Sequence, residues 1–252
     1  MSKLSVAIIV KNEEYNLPRM LESIKWADEI VILDTGSTDR TMQIAQEFGA
    51  KLYQSEWFGF GKCKQIAVDK CENEWILSLD ADEVLTPELV EELKRLIASD
   101  KSLNGYRIHR TSFYLGRKIK HCGWNRDYTL RLFRKSQGSF NQKSVHESVQ
   151  IKGEIGFIKQ PMLHYTYPTI DSHLEKMKFY STLSSQELYK KGRTSSLLGA
   201  SLRSGWKFIQ MYFLKAGFLD GKEGFILCKN SGMGIFWKYV KLWELNNNDN
   251  SY

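Results

Sequence analysis

The chain has 252 residues, 42% hydrophobic and 26% charged, with a formal net charge of +7. This supplies the core of one large α/β domain or two small ones, and it excludes a disordered chain outside the tail NNNDNSY. The positive balance favours anionic partners (nucleotide phosphates, nucleic acid or anionic membrane) without choosing among them. Four cysteines, Cys63, Cys71, Cys122 and Cys228, form no CxxC pair and no zinc-finger spacing, so they read as reduced thiols of a cytosolic protein. The opening MSKLSVAIIVKNEE meets charge too early for a signal peptide, and no apolar run reaches the roughly 18–20 residues of a membrane span.

LSVAIIV (4–10) is a continuous β-branched run, as expected of a strand buried on both faces. A helical pattern follows, with Leu17, Leu21 and Ile24 on one face. EIVILD (29–34) is a second strand, after which Ser37 or Thr38 can cap a helix that turns Thr41, Ile44, Ala45 and Phe48 inward. AKLYQ (50–54) is a short strand, a helix follows around residues 61–72, and WILSL (75–79) is the next strand. Thr86-Pro87-Glu88 starts a further helix: Thr as cap, Pro at the first helical position, an acid in the first turn. Leu89, Leu93 and Leu96 form its apolar stripe. This alternation predicts a doubly wound, mostly parallel sheet, whose ligands bind beyond the carboxyl ends of the strands. The polar motifs Lys11-Asn12-Glu13, Asp34-Thr35-Gly36-Ser37 and Asp80-Ala81-Asp82-Glu83 all fall at those ends.

From about residue 104 the texture changes. GYRIHRTSFYLG, GRKIKHCGW and YTLRLFRK read as shorter strands, residues 170–192 as a polar amphipathic helix, and residues 206–243 as apolar, aromatic and basic. One catalytic domain over 1–168 is expected, with a nucleotide-sugar half (1–103) and an acceptor half (104–168), followed by a helical extension over 169–252.

The chemistry concentrates at the strand ends. Asp80 and Asp82 can hold a divalent cation, accept a phosphoryl group, or only mark a turn. Asp34 can accept hydrogen bonds from a ribose or uracil, and Gly36-Ser37-Thr38 leads into a helix N-terminus that favours anions or is simply capped there. Arg131 and Arg134 alternate with Leu130, Leu132 and Phe133, which suggests a strand with its cationic face toward a cleft, or a solvated face. WKFIQMYFLKAGFL (206–219) and GIFWKYVKLW (234–243) suit an interfacial membrane element, or a helix packed on the catalytic domain. DADEV also fits the DxDx[TV] pattern of haloacid dehalogenase-like phosphatases, with Asp80 as nucleophile. No GxGxxG follows the first strand, no GxxxxGK[ST] occurs, and no RNA-binding motif argues for nucleic acid.

KNEE after the first strand, then VILDTGSTDRT, then WILSLDADE, in this order, resemble the family 2 glycosyltransferases. GW (123–124), DYTLRLFRK (127–135), VHE (145–147), LHY (163–165) and FLKAGFLDGKEGF (213–225) extend the likeness to the bacterial lipopolysaccharide core β-glucosyltransferases over nearly the whole chain. The resemblance implies a GT-A type fold, a Rossmann-like doubly wound mixed sheet with a helical, aromatic-rich C-terminal extension. It implies a metal-dependent, inverting enzyme that moves a hexose, glucose from UDP-glucose, to an inner-core sugar of lipopolysaccharide or lipooligosaccharide. Val10, Asn12, Glu13, Asp34, Lys64 and Asp80 then match nucleotide-sugar positions, with Gln65 where Asn is frequent. Asp82, with Asp80 and His164, matches the site of Mg²⁺ or Mn²⁺. Glu147 matches the usual base, with Asp127 as second candidate, and Arg131, Arg134 and His146 are phosphate or acceptor contacts. A lipid-linked acceptor and an anionic membrane surface would be partners, and the enzyme would be cytoplasmic, peripheral on the inner face of the bacterial inner membrane.

Overall fold

The computed structural model describes residues 2–99, 103–125, 127–141 and 148–248. The chain divides into two compact units, Met1–Thr111 with Asp127–His164, and Ser112–Arg126 with Tyr165–Tyr252. The second unit therefore takes in residues 112–126, which the sequence grouped with the acceptor half, as well as the C-terminal helices.

The first unit starts with β1 (Leu4–Val10), α1 (Leu17–Ser23), β2 (Glu29–Asp34), α2 (Thr41–Glu47), β3 (Lys51–Gln54), α3 (Phe60–Asp69), β4 (Trp75–Asp80), β5 (Glu83–Leu85) and α4 (Pro87–Ala98). In chain order there follow β6 (Gly105–Tyr114), the two-residue β7 (Arg117–Lys118) of the second unit, β8 (Tyr128–Arg134), β9 (Gly138–Phe140), β10 (Val149–Ile151) and β11 (Ile155–Tyr167), the last residues of β6 and β11 falling in the second unit. The sheet runs β3-β2-β1-β4-β8-β6-β11-β5, and β9 pairs with β10 separately. β3, β2, β1 and β4 are parallel. β8 runs antiparallel to β4 and to β6, and β11 antiparallel to β5, so the sheet is mixed as expected.

Period-2 alternation explains the core. From β1, Val6, Ile8 and Val10 pack with Leu17, Leu21, Leu89 and Leu93 on one face of the sheet. Ala7 joins Val31, Leu33, Ile76 and Cys63, Ala67 and Val68 of α3 on the other. Both faces are covered by helices, which is why these strands are apolar throughout. α4 begins as its sequence dictates: the Thr86 hydroxyl accepts from the Leu89 amide (3.2 Å), Pro87 opens the helix and Glu88 sits in its first turn. α2 departs from expectation. It starts after Arg40 without a side-chain cap, because Ser37 and Thr38 are drawn into another loop described below.

In the second unit, most of GRKIKHCGW is loop rather than strand. Asp220 fixes it by accepting from the Lys120 (3.0 Å) and His121 (2.8 Å) amides. α5 (Ile170–Lys190) opens with a capping box between Thr169 and Ser172. α6 (Leu197–Ile209) runs on through a π turn and a 3-10 turn into α7 (Gly221–Asn248). The buried cluster of this unit includes Tyr114, Ile119, Cys122, Met211, Leu227 and Cys228.

Candidate active site

The loops after β1 and β2 are stitched to each other. Asn12 adopts a left-handed backbone (φ 55), which Asn tolerates better than most residues. Its amide donates to the Ser37 hydroxyl (2.9 Å), and its side-chain carbonyl accepts from the Thr38 amide (2.8 Å). The Glu13 amide donates to the Thr41 hydroxyl (2.8 Å), and the Val10 carbonyl accepts from the Thr35 amide (3.0 Å). Asp34 is 2% exposed, and its carboxylate accepts from the amides of Gly36 (3.2 Å) and Ser37 (3.0 Å). Gly36 has φ +102, a conformation open to glycine and strained for other residues. Val10, Asn12, Glu13 and Asp34 thus converge on one preorganised loop pair at the sheet's carboxyl edge. Within it, Asp34 holds the loop's own backbone.

The second feature is a buried chain of alternating charges. The Lys64 ammonium, on α3 and 4% exposed, lies 2.8 Å from Asp80 Oδ1. Arg131, reaching in from β8, places one Nη2 at 2.5 Å from Asp80 Oδ2 and 2.6 Å from Glu83 Oε1. Glu83 is fully buried, takes Arg110 at 3.3 Å, and accepts the Asp80 amide at 3.0 Å. Arg110 then grips Asp127 through Nε (2.8 Å) and Nη2 (2.5 Å). Three cations and three carboxylates from α3, β4, β5, β6, β8 and the residue before β8 neutralise one another, as buried charges must. Burial alone would raise the Asp80 carboxyl, but the Arg131 guanidinium and the Lys64 ammonium hold it well below the usual carboxylate range.

Asp82 and His164 form the third feature. β11 aligns His164 with Glu83, and this brings the imidazole Nε2 to 3.5 Å from Asp82 Oδ2. A carboxylate oxygen beside an imidazole nitrogen is a donor set that fits a divalent ion. Among the described residues no three His, Cys, Asp or Glu side chains gather as a complete metal cage. Two protein ligands suffice where substrate phosphates and water complete the shell.

Several expected residues are placed differently. Arg131 is engaged by Asp80 and Glu83. Arg134 lies opposite Trp75 at the far end of β4, its guanidinium stacked on that ring at 4.5 Å. Residues three apart on a strand point to opposite faces, so the two arginines share no cationic face. Asp127 is tied to Arg110. The Gln65 side-chain carbonyl is taken by the Phe140 amide (2.8 Å). Glu147 and His146 lie outside the described residues. Sequence reasoning missed Glu83 and Arg110 as members of the site; the one available signal was Glu83 three residues past Asp80, at a strand end already rich in acids.

The sequence model of glycosyl transferase family 2 matches residues 5–153. An uncharacterized glycosyltransferase of Rickettsia typhi is 32% identical, over 98% of this chain and 88% of the relative. The lipopolysaccharide core biosynthesis glycosyltransferase LpsC of Rhizobium meliloti is 28% identical, over 96% of this chain and 92% of its own length. Among solved structures, S. aureus TarS 1-349 in complex with UDP superposes with a TM-score of 0.51 at 16% identity, covering 98% of this chain and 92% of that one. This likeness bears on the fold, which is of the GT-A α/β type. The phosphatase alternative finds no support: the family match spans DADEV, that motif lies on the fourth strand, and both Asp80 oxygens are held by cations.

Proposed function

The chain belongs to glycosyl transferase family 2, and on that premise we propose that it transfers a hexose, glucose from UDP-glucose, to an inner-core sugar of lipopolysaccharide or lipooligosaccharide. The name of the Rhizobium relative supports an acceptor in the lipopolysaccharide core, and the UDP in the TarS structure supports a UDP-sugar as donor. The observation that carries the reading is the convergence of the Asn12–Asp34 loop pair, Asp80 and Asp82 at the carboxyl ends of β1, β2 and β4.

The nucleotide rests against the stitched loops, which need no rearrangement to receive it. Asp80 stays ionised and keeps a third of its side-chain surface open, offering lone pairs to the ribose hydroxyls. Asp82 and His164 would hold a divalent cation, which when bound offsets the charge of the departing diphosphate. Glu147 takes the proton of the acceptor hydroxyl. The oxygen then bonds to C1 of the donor sugar from the face opposite the diphosphate, the C1–O bond breaks, and UDP leaves with the bonding pair. One displacement inverts the anomeric centre.

An assay of UDP release tests this with a panel of UDP-sugars and lipopolysaccharide truncated to its inner core. Release with UDP-glucose, dependent on acceptor, is expected. Release with no UDP-sugar would reject the reading.

A further inference from the structure

α6 leaves much of its large apolar surface uncovered. Its inward side carries Ala200, which is fully buried, Ser204, whose hydroxyl donates to the Gly232 carbonyl of α7 at 2.8 Å, and Phe208, which packs against the buried cluster of this unit. The two helices approach so closely that a Cβ at Gly232 would sit 3.0 Å from the Ser204 carbonyl oxygen. Its outward side carries other large apolar groups: Leu198 is 71% exposed, Leu202 66% and Trp206 58%. Ile209 and Phe213 continue the same helical row, and Leu214, Phe218 and Leu219 in the following turns are exposed as well. An exposed row of large apolar side chains along one helix marks an interaction site rather than scattered surface variation.

The charges over the same stretch are one-sided. Lys191, Arg193, Arg203, Lys207, Lys215 and Lys222 are the basic residues from 191 to 222, and the acid among them is Asp220. Asp220 is buried and turned to the Lys120 and His121 amides, so it adds nothing to the surface. A second copy of this chain would bring the same cations against these, a like-charge pairing that disfavours self-association. Among the described residues no helix is long and apolar enough to cross a membrane. An apolar row flanked by cations and Trp suits the boundary between acyl chains and anionic headgroups.

We propose that residues 197–219 form an interfacial anchor that lays its apolar row into an anionic lipid surface. It extends the transferase reading, because a lipid-borne acceptor would be met at that surface, but binding needs no turnover and is read separately. The test is flotation of the full-length protein with vesicles of phosphatidylcholine alone or with phosphatidylglycerol at one part in four. The wild type should float with the mixed vesicles and much less with phosphatidylcholine. The double substitution Leu202→Glu, Trp206→Glu should lower the bound fraction by about tenfold or more. Its thermal melting curve should match the wild type, since both side chains face solvent, and Trp206→Ser alone should give a smaller loss in the same direction. The proposal is overturned if the wild type floats with neither vesicle or equally with both, or if the double variant floats as the wild type does. It is equally overturned if sedimentation shows a wild-type dimer that the substitutions dissociate, with no vesicle binding.

Discussion

The first unit buries charge, and the second exposes apolar surface. At the end of β4, Glu83 is fully buried with Arg131 against it, while Leu198 on α6 is 71% exposed. Each arrangement opposes what folding alone would favour. In the first unit the cost is offset by opposite charges around Asp80 and by backbone amides at Asp34, which fixes the directions of both carboxylates. In the second unit the apolar row of α6 stays exposed among the described residues. Both exceptions point to ligands, one small and polar, the other a surface.

This contrast can be broken at defined places. The largest effect should come from Asp82→Ala: losing a ligand for the leaving-group cation should lower kcat by roughly 10³-fold while the fold persists, as read by steady-state UDP release and circular dichroism. Glu147→Gln should lower kcat by about 10²–10⁴-fold with little change in UDP affinity. Glu83→Ala should act on stability, because it leaves Arg131 and Arg110 buried with fewer counter-charges. A loss of about 3–5 kcal/mol in denaturant unfolding is expected, and an unchanged midpoint would show the network to be dispensable.

The second unit should answer to pH through His173. Burial, with a smaller push from the Lys176 charge, lowers its imidazole from 6.5 to about 4. It meets the Tyr114 hydroxyl at 2.8 Å and stacks on Tyr167. Above pH 6.5 the imidazole is neutral in both folded and unfolded chains. Below it, the unfolded chain takes up a proton that the folded chain refuses, so stability falls as pH drops toward 4, by up to about 3 kcal/mol. His173→Gln should flatten that slope in unfolding curves taken at pH 7 and pH 5. The smallest effect belongs to Arg134→Ala, which removes a stack on Trp75 worth about 1 kcal/mol and should leave kcat unchanged.

Much of the first unit was legible because its signals are local. The β-branched run of β1, the Thr86-Pro87-Glu88 helix start and the acids at the strand ends each declare themselves within a few residues. What was hidden depends on partners far along the chain. Ser37 and Thr38 look like helix caps until Asn12, some 25 residues earlier, claims them. Glu83 is one more acid of a strand-end motif until Arg131, 48 residues later, arrives on an antiparallel strand. His164 reaches Asp82 only because β11 pairs with β5, a register no local pattern encodes. The second unit was legible in composition, but that α6 turns Ala200 and Ser204 inward follows from its packing on α7.

Titration calorimetry of UDP-glucose with and without Mn²⁺, on the wild type and on Asp82→Asn, tests the central claim most directly. Saturable binding that strengthens with Mn²⁺ in the wild type and loses that gain in the variant is the predicted result. Absence of binding in either condition, or an equal response to Mn²⁺ in the variant, would contradict it.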